Sequence, residues 1–362
     1  MDPRADRGRH CRFPAALLLL SAVLTLMPEP AASADRFAFS GFGEWYGLAI
    51  REAPDTSAGR VVVSFDHAFS SEVSLTWELG LDHSGSEVEG SAHETSFGQA
   101  YVAVDLAPAH ALRLGVIALP VGLMNEADEP TAFFGAEINP VETEILPGGW
   151  CEAGAGVGGP LGAALTYDLA VTSGLSVPLE GEDAYRVAEG VQSTRAPGPD
   201  NVAITGRLAW SGLPGVNLGL TGHYERDVTA GRRDVPGLLL EAHADLRHGP
   251  LGLRALYARW DLDEPLGPEG ADDGRAEQLG WYLEPSLRGP VGSLPGELGA
   301  FVRFSSWDAR AGDASRSRNT RWNAGLNYWP TPAMVLKLDA WKEGPGSAER
   351  SAGLGFAVGG VF

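Results

Sequence analysis

Apolar and polar residues alternate with a period of two along most of the chain beyond residue 35. In the stretch 73–82, VSLTWELGLD, every odd position is apolar and every even position is polar or glycine. A β-strand with one apolar and one polar face produces this pattern. Similar runs recur to the last residue, and extended helical periodicity is missing. The pattern predicts an all-β chain.

Sixteen strands follow from these runs and from the turn signals between them. They are predicted at 36–50, 59–68, 71–83, 96–107, 111–120, 152–159, 161–174, 201–211, 215–227, 236–247, 251–262, 277–288, 297–309, 319–329, 333–343 and 349–362. Tight turns, such as 69–70, 108–109 and 159–160, alternate with longer, more charged connections. This sidedness is typical of outer-membrane barrels, with turns in the periplasm and loops outside. We expect a transmembrane antiparallel β-barrel of about 16 strands.

Two further features favour lipid over the protein core of a soluble β-sandwich, whose strands would also alternate. Aromatic residues fall near strand ends, as interfacial girdles require: Phe69, Trp210, Tyr328 and Trp329 at the turn side, and Tyr224, Trp260 and Trp281 toward the loop side. The chain also finishes on a two-residue register that resembles the assembly signal of bacterial outer-membrane proteins. Its members are Leu354, Phe356, Val358 and Phe362, with Gly360 as a weak position.

Residues 1–34 have the composition of a secretory signal peptide. Four arginines precede an apolar run from Pro14 to Met27, and Ala32-Ser33-Ala34 supplies the small-residue cleavage pattern. The run is too short to span a bilayer as a helix, although a retained helical anchor is the alternative. Cleavage after Ala34 would leave a single barrel domain over residues 35–362, because no linker or change of composition divides the rest.

Charge and cysteine content narrow the classes of partner. Removing residues 1–34 takes away four basic and three acidic residues, which leaves 23 Lys and Arg against 44 Asp and Glu, a formal charge of −21. That balance argues against nucleic acid and anionic lipid as partners. Cys151 is the one remaining cysteine, so no disulfide or cysteine metal site forms within one chain. We expect it to be a packed, inert thiol.

The longest predicted connection, between the fifth and sixth strands, is both acidic and apolar. Its carboxylates are Glu126, Asp128, Glu129, Glu137, Glu142 and Glu144. Connections of about thirty residues inside a compact domain are usually functional or disordered, and the apolar residues at 133–134, 145–146 and 150 favour packing over disorder. Sixteen strands enclose a lumen too wide for side chains to fill. We expect this third external loop to fold into the lumen and narrow it.

Basic residues fall on the inward face of the predicted strands. They are Arg113, Arg207, Arg254, Arg303, Arg321 and Lys337. Opposed to the acidic loop, this basic wall would set up a transverse field across the constriction, and the loop carboxylates favour a modest cation preference. The alternatives are that these charges form only a solvated face, and that the clustered carboxylates bind Ca²⁺. No interleaved EF-hand spacing supports the second.

Several segments together resemble the porin O and P family, the phosphate-selective group of Gram-negative porins. They are 115–123 running into Asn125-Glu126, Phe133-Phe134, 140–142, 146–150 and 152–154. The resemblance implies a homotrimer of barrels with the third loop folded inside. Phosphate selectivity in that family depends on an arginine ladder and constriction lysines, whereas residues 114–185 of this chain contain no Lys or Arg. We therefore take the fold from the resemblance and leave its substrate as an alternative.

Motifs of other activities are weak. Residues 154–159 satisfy G-x-G-x-x-G, but Pro160 follows and no helix opens there, so no dinucleotide site is expected. His83 and Ser84 near Asp82 invite a hydrolase interpretation, yet adjacent strand residues point to opposite faces and no G-x-S-x-G elbow is present. The seven histidines beyond residue 34 lack metal-ligand spacing. We expect neither an enzyme, nor a metal, nor a cofactor.

The sequence thus predicts an outer-membrane porin that passes small hydrophilic solutes and ions without an energy source. Its expected partners are further copies in a trimer, outer-membrane lipid and lipopolysaccharide, and the outer-membrane assembly machinery. Two alternatives of other classes stay open. One is a secreted, soluble β-rich binding protein, and the other is an adhesin-like barrel whose external loops serve adhesion or structure.

Overall fold

Sixteen antiparallel strands form a closed barrel. The computed structural model describes residues 37–51, 56–86, 90–107, 109–180, 184–192, 201–232, 234–266, 275–311, 317–344 and 351–362. The strands are β1 (Phe37–Ile50), β2 (Thr56–Ala68), β3 (Val73–Ser86), β4 (Gly90–Ala107), β5 (His110–Ala118), β6 (Cys151–Pro160), β7 (Leu165–Ser173), β8 (Val202–Leu213), β9 (Val216–Glu225), β10 (Gly237–His248), β11 (Leu251–Leu266), β12 (Arg275–Pro290), β13 (Glu297–Ala311), β14 (Asn319–Thr331), β15 (Met334–Glu343) and β16 (Ala352–Val361).

Every strand pairs with its neighbours in sequence, and β16 closes the barrel on β1. The closing register runs from Phe42 opposite Val361 to Ile50 opposite Gly353. The terminal Phe362 continues the ladder, since its N–H donates to the Gly41 carbonyl at 2.9 Å and its carbonyl accepts from Gly41 at 3.1 Å. The predicted strand number and antiparallel order are confirmed.

The boundaries differ by four residues or more at β4, β7 and β11. β4 begins at Gly90, six residues before the predicted start at 96. The predicted turn at 159–160 is wrong, because β6 continues through Pro160 and the turn lies at 161–164, closed by the Leu161 N–H on the Leu165 carbonyl at 2.7 Å. The predicted signal peptide at 1–34 and Pro108 of another predicted turn lie outside the described residues.

The two faces of the barrel have opposite polarity. In β9, Leu218, Leu220 and Tyr224 are exposed, while Thr221 and the following alternate residues are buried. In β15 Met334, Leu338 and Ala340 are exposed, Lys342 near the strand end is the one charged exposed residue, and the buried positions include Lys337 and Asp339. A soluble protein buries its apolar faces, so this arrangement is inverted. An outward apolar band around a polar interior is typical of membrane barrels.

Two aromatic residues were assigned to the wrong face. Trp260 and Trp329 were predicted to lie in interfacial girdles, but their exposed fractions are 0% and 2%. Their indole N–H groups donate inward, to the Ile145 carbonyl at 3.1 Å and the Thr131 carbonyl at 3.2 Å. Each tryptophan therefore packs against the long connection instead of facing outward. Phe69, just past β2, and Tyr224, near the end of β9, are exposed as a girdle requires, and Trp281 is exposed within β12.

Helical structure in the described residues consists of two short pieces. α1 (Val141–Glu144) lies within the β5–β6 connection, and a 3₁₀ turn (Val187–Gly190) lies within the β7–β8 connection. No described helix has the length and the hydropathy needed to cross a membrane. The connection 119–150 between β5 and β6 is referred to below as loop L3, since it follows the β1–β2 and β3–β4 connections as the third on one side of the barrel.

The main buried apolar cluster joins L3 to the sheet. Leu119, Ile145 and Trp150 of L3 belong to it together with Leu239 of β10 and Trp260 of β11. All five have no more than 1% of their surface exposed. Because burial of large apolar side chains stabilises a structure by about 1.5–3 kcal/mol each, L3 is a packed element and not a free surface loop.

Candidate functional site

A cavity of about 660 Å³ lies between L3 and one part of the barrel wall. Strands β1–β4 supply most of its wall residues, single residues of β5, β6 and β16 add to the wall, and L3 supplies most of the rest. The ionisable residues that line it are Arg60, Glu78, Asp82, Glu126, Asp128, Glu129 and Glu142. Acidic residues therefore outnumber basic ones six to one on this surface.

The neck of L3 is closed by one asparagine. The Asn125 amide donates to the carbonyls of Leu119, at 2.8 Å, and Trp150, at 3.0 Å, which stand at the two ends of the loop. Its carbonyl oxygen accepts from the Trp150 N–H at 2.5 Å. The Leu119 N–H also donates to the Trp150 carbonyl at 2.9 Å, so the two ends of L3 are held together where they leave β5 and enter β6.

The middle of L3 is bonded to the opposite wall through its backbone. Four successive L3 carbonyls each accept one hydrogen bond from a side chain of the polar strand face. The pairs, from carbonyl to donor, are Thr131 to Trp329 (3.2 Å), Ala132 to Arg254 (2.8 Å), Phe133 to Asn327 (3.1 Å) and Phe134 to Arg303 (2.7 Å). Side chains of β11, β13 and β14 thus bind L3 through the backbone of the loop.

Glycines allow L3 to approach this wall. A Cβ at Gly359 of β16 would lie 2.4 Å from the Pro130 ring, and one at Gly299 of β13 would lie 2.7 Å from the Phe134 ring. Separations below 3.0 Å require something to move, and a proline ring has little freedom to do so. L3 residues occupy the space that side chains at these two glycines would otherwise fill.

The six carboxylates predicted for L3 have different partners. Glu126 pairs with Arg207, Asp128 with Arg60 at 2.5 Å, Glu137 with Arg321 at 3.7 Å, and Glu144 with Arg186 at 2.5 Å. Glu129 lines the cavity and makes no ion pair with the described residues. Four of the six negative charges are therefore compensated by arginines.

Glu142, the sixth, holds L3 together. One carboxylate oxygen accepts from the backbone N–H groups of Leu123 at 2.8 Å and Met124 at 2.7 Å, and the other accepts from the Tyr282 hydroxyl at 2.6 Å. Glu142 is 4% exposed. Burial raises the pKa of its carboxyl group, and the three donated hydrogen bonds oppose this shift.

The predicted basic wall lies largely behind L3. Arg254 and Arg303 bind L3 carbonyls, and Arg303 also pairs with Glu284 at 2.5 Å. Lys337 is 1% exposed, and its ammonium lies 3.2 Å from the centroid of the Phe133 ring. Arg113 makes no ion pair with the described residues and has Tyr101 as an aromatic neighbour at 5.9 Å. Arg113 is therefore the predicted wall arginine for which the described residues show an aromatic neighbour but no ion pair.

This placement changes the expected electrostatics. The transverse field was predicted between acidic loop and basic wall, but Arg254, Arg303, Arg321 and Lys337 contact L3 directly. None of these four lines the cavity, whose surface is acidic apart from Arg60. Arg254, Arg303 and Arg321 are paired with the wall acids Asp245, Glu284 and Glu343, and opposite charges in contact cancel at a distance. The excess of carboxylates is therefore on the cavity side.

Sequence reasoning missed Arg60 and the wall acids Glu78 and Asp82. Arg60 donates to Glu44 from Nε at 3.2 Å and Nη2 at 2.9 Å, and to Asp128 from Nη1. The signal was present, because in β2 the apolar run Val61, Val63, Phe65 alternates with Arg60 and its polar neighbours. Within the part of the chain that is described, no group of three or more His, Cys, Asp or Glu side chains forms a metal site.

The residues of the predicted assembly signal lie at the seam between β16 and β1. Leu354 and Phe356 are 57% and 42% exposed on the outer face, and Val358 pairs with Trp45. The Phe362 ring lies over Gly41 and contributes to the cavity. Their role in assembly remains a prediction, while their part in barrel closure is visible in the ladder.

A closed sixteen-stranded barrel with an apolar exterior, a polar interior and a long loop bonded to the polar strand face is a porin-like barrel, and solved outer-membrane porins have the same fold. OmpF of Salmonella typhi, solved with daunomycin, covers 92% of this chain and 100% of its own at 10% identity and a TM-score of 0.59. The anion-selective porin of Comamonas acidovorans covers 90% and 99% at 12% identity and a TM-score of 0.59. OmpT of Vibrio cholerae in its trimer form covers 90% and 99% at 9% identity and 0.55.

Sequence comparisons give less information about this chain than the structural comparisons do. No family model matches the chain, so the porin O and P resemblance is not confirmed at the family level. A protein of Aquifex aeolicus (strain VF5), described only as uncharacterized, is 27% identical over 153 residues. That alignment covers 41% of this chain, and the chain spans 34% of the relative's length. The comparisons therefore establish the fold.

Proposed function

We propose that this chain is an outer-membrane porin through which small hydrophilic solutes and ions diffuse passively. In this proposal L3 lies inside the lumen and leaves the cavity beside β1–β4 as the open path. The observation that supports this most is the set of L3 carbonyls bound by side chains of the polar strand face, from Trp329 to Arg303. That face is directed away from the apolar exterior, and this supports a position of L3 inside the barrel.

The proposed channel prefers cations. Charges at the narrow part of a pore set its ion preference, and the cavity surface carries Glu78, Asp82 and Glu129 beside a single arginine. The proposed preference for cations is the same as the one predicted from the sequence, but different residues account for it. The preference comes from wall and loop acids on the open side, because the wall arginines on the other side are bound to L3.

Anion or phosphate selectivity is the second candidate. Arg113 supports it, since this arginine lies on the polar face of β5 and makes no ion pair with the described residues. Arg254, Arg303 and Arg321 count against it, because a guanidinium that is already paired with a carboxylate attracts a passing anion weakly. The sign of the reversal potential under a salt gradient distinguishes the two candidates.

Other parts of the proposal follow from the membrane assignment. Residues 1–34 direct export and are removed, the barrel inserts in the bacterial outer membrane with the help of the assembly machinery, and lipid and lipopolysaccharide contact its apolar exterior. A homotrimer is proposed by analogy with porins. The chain is proposed not to be an enzyme and to need no cofactor. A soluble binding protein is disfavoured by the exposed apolar ring, and an adhesin-like barrel would be identified by lack of transport.

Solute uptake into proteoliposomes tests the transport claim. The chain without residues 1–34 is refolded, inserted into liposomes and challenged with neutral sugars of increasing size and with small ammonium and carboxylate solutes. The proposal predicts swelling with small sugars, slower swelling as size increases, and faster entry for the ammonium solutes. Liposomes that stay impermeable to every solute, although the barrel is inserted, would reject the channel and favour the adhesin-like alternative.

A further inference from the structure

L3 is fixed to two distant parts of the wall at almost the same point. Arg60 of β2 binds Asp128, and Arg207 of β8 binds Glu126. β2 and β8 are six strands apart around the barrel. Two residues along a chain span no more than about 7 Å, so the two arginines reach toward each other from separate regions of the wall and hold one short segment between them.

The contacts of Arg60 are the more elaborate. Its guanidinium joins Glu44 of β1 to L3, with Nη1 at 2.5 Å from the Asp128 carboxylate and Nη2 at 3.0 Å from the Asp128 carbonyl. It also lies 4.7 Å from the centroid of the Phe42 ring. A planar fork can satisfy two acceptors in fixed directions, whereas a lysine ammonium cannot reproduce this geometry. Arg60 is thus suited to position L3 as well as to supply charge.

Arg60 is also the basic residue that lines the cavity in the described part of the chain. Its side chain is 23% exposed and that of Asp128 is 32% exposed. Solvated ions in the cavity therefore come close to this pair. A residue that both borders the open path and holds the loop that limits it can affect two separate properties of a channel, namely its size limit and its ion preference.

We propose that Arg60 is a specificity-determining residue of the channel: its fork holds Asp128 against β2 and sets the size limit, and its charge moderates the cation preference. Arg207 holds the same segment from the other side through Glu126. The effects on size limit and ion preference rest on the proposed function. The positioning role of Arg60 does not depend on that function, because fixing residues 126–128 to the wall affects the mobility of L3 whether or not solutes pass.

Four variants separate geometry from charge. Arg60→Gln removes both, Arg60→Lys keeps the charge and loses the fork, and Asp128→Asn weakens the same contact while removing a negative charge. Arg113→Gln is the control, since it removes one positive charge from the polar face without touching L3. Refolding is verified for each by the altered gel mobility of the unheated barrel.

The readouts are exclusion of neutral polymers of graded size, the reversal potential, and amide hydrogen exchange of residues 126–129 in detergent. We expect Arg60→Gln, Arg60→Lys and Asp128→Asn to admit larger polymers than the wild type and Arg113→Gln. The cation-to-anion permeability ratio should rise about threefold at low salt in Arg60→Gln and fall by a similar factor in Asp128→Asn, since a unit charge a few ångströms away has roughly this effect in water.

Hydrogen exchange separates this inference from the channel proposal. Exchange at 126–129 should be faster in the three contact variants than in Arg113→Gln. If the wild type does not conduct but this difference is found, the porin proposal fails and the positioning role of Arg60 stands. If the wild type conducts while Arg60→Lys and Arg60→Gln keep its size limit and its exchange rates, the inference is wrong.

Discussion

The carboxylates of L3 differ in what their removal should do, because their contacts differ. Glu129 lines the cavity without an ion pair to the described residues, whereas Glu142 is buried and accepts three hydrogen bonds. A charge that faces open solvent acts on passing ions and adds little to stability. A buried acceptor acts on stability, because its donors lose their partner when it is removed.

Glu129→Gln should therefore change ion preference alone. We expect the cation-to-anion permeability ratio to fall by up to about threefold at low salt, with the thermal unfolding midpoint unchanged. Glu142→Ala is the matched comparison, and it should destabilise L3 by about 1–3 kcal/mol through its unpaired donors. Reversal potentials and thermal unfolding measure the two effects. Equal loss of stability in both variants would contradict this assignment.

The buried carboxyl groups also make L3 sensitive to pH. Burial raises the pKa of Glu137, which the nearby Arg321 only partly offsets, and burial raises the pKa of Glu142. Folded L3 therefore binds protons more tightly than the unfolded chain. The stability that this contributes is fully present below the ordinary carboxyl pKa of 4.5 and is lost as pH rises through the raised values.

Protection of L3 amides should consequently be greater at about pH 5 than at about pH 8 after correction for intrinsic exchange rates. Glu137→Gln is already neutral, so its pH dependence should be smaller than that of the wild type. Hydrogen exchange of residues 131–137 in detergent is the measurement. Protection that declines steadily toward the acidic end of this range would show that the paired carboxylates, such as Asp128, dominate instead.

At the scale of elements, L3 and the wall behave as complementary surfaces. The strand glycines leave space, the wall side chains donate hydrogen bonds, and the L3 carbonyls accept them. At Gly359 the space is occupied by the Pro130 ring, which a Cβ would approach to 2.4 Å. Overpacking of a fitted contact usually costs about 1–3 kcal/mol, so a single methyl group at this position should destabilise the contact between L3 and β16.

Gly359→Ala should displace L3 near Pro130. Gly222→Ala, where the nearest atom lies 3.9 Å from the added Cβ, is the control. We expect faster amide exchange around Pro130 and an altered single-channel conductance in the first variant, and wild-type values in the second. Identical exchange profiles for the two variants would mean that L3 does not press on β16.

Element boundaries and faces were largely predictable because the pleat of a strand imposes a period of two. The same pattern was insufficient for Trp260 and Trp329. Where both faces of a strand end carry apolar residues, alternation alone cannot tell which side packs on a loop. Trp260 lies in one register with Leu256 and Leu262, both buried, so the error was in choosing the face rather than in the strand.

The partners within the site were beyond sequence reasoning for a different reason. Arg207 and Glu126 are 81 positions apart, and Arg60 and Asp128 are 68 positions apart. Alternation predicts which strand residues point inward, but it does not predict which of them L3 contacts. The acidic character of the loop was therefore predictable, whereas the neutralisation of four of its carboxylates by arginines required the fold.

At the scale of the whole molecule, the proposed position of L3 inside the barrel divides the interior unequally. One side is filled, where the loop is bonded to β11–β14 and packs against β16. The other side holds the cavity beside β1–β4, with its excess of carboxylates. The central claim of this account is that ions cross the molecule through this acidic side.

Single-channel recording in planar bilayers, with the reversal potential taken under a salt gradient, tests that claim most directly. The refolded chain without residues 1–34 should give discrete open steps and a reversal potential of cation-selective sign, reduced by Glu129→Gln. An anion-selective reversal potential would mean that Arg113 and the remaining wall arginines control the path. Absence of conductance from a correctly inserted barrel would contradict the channel itself.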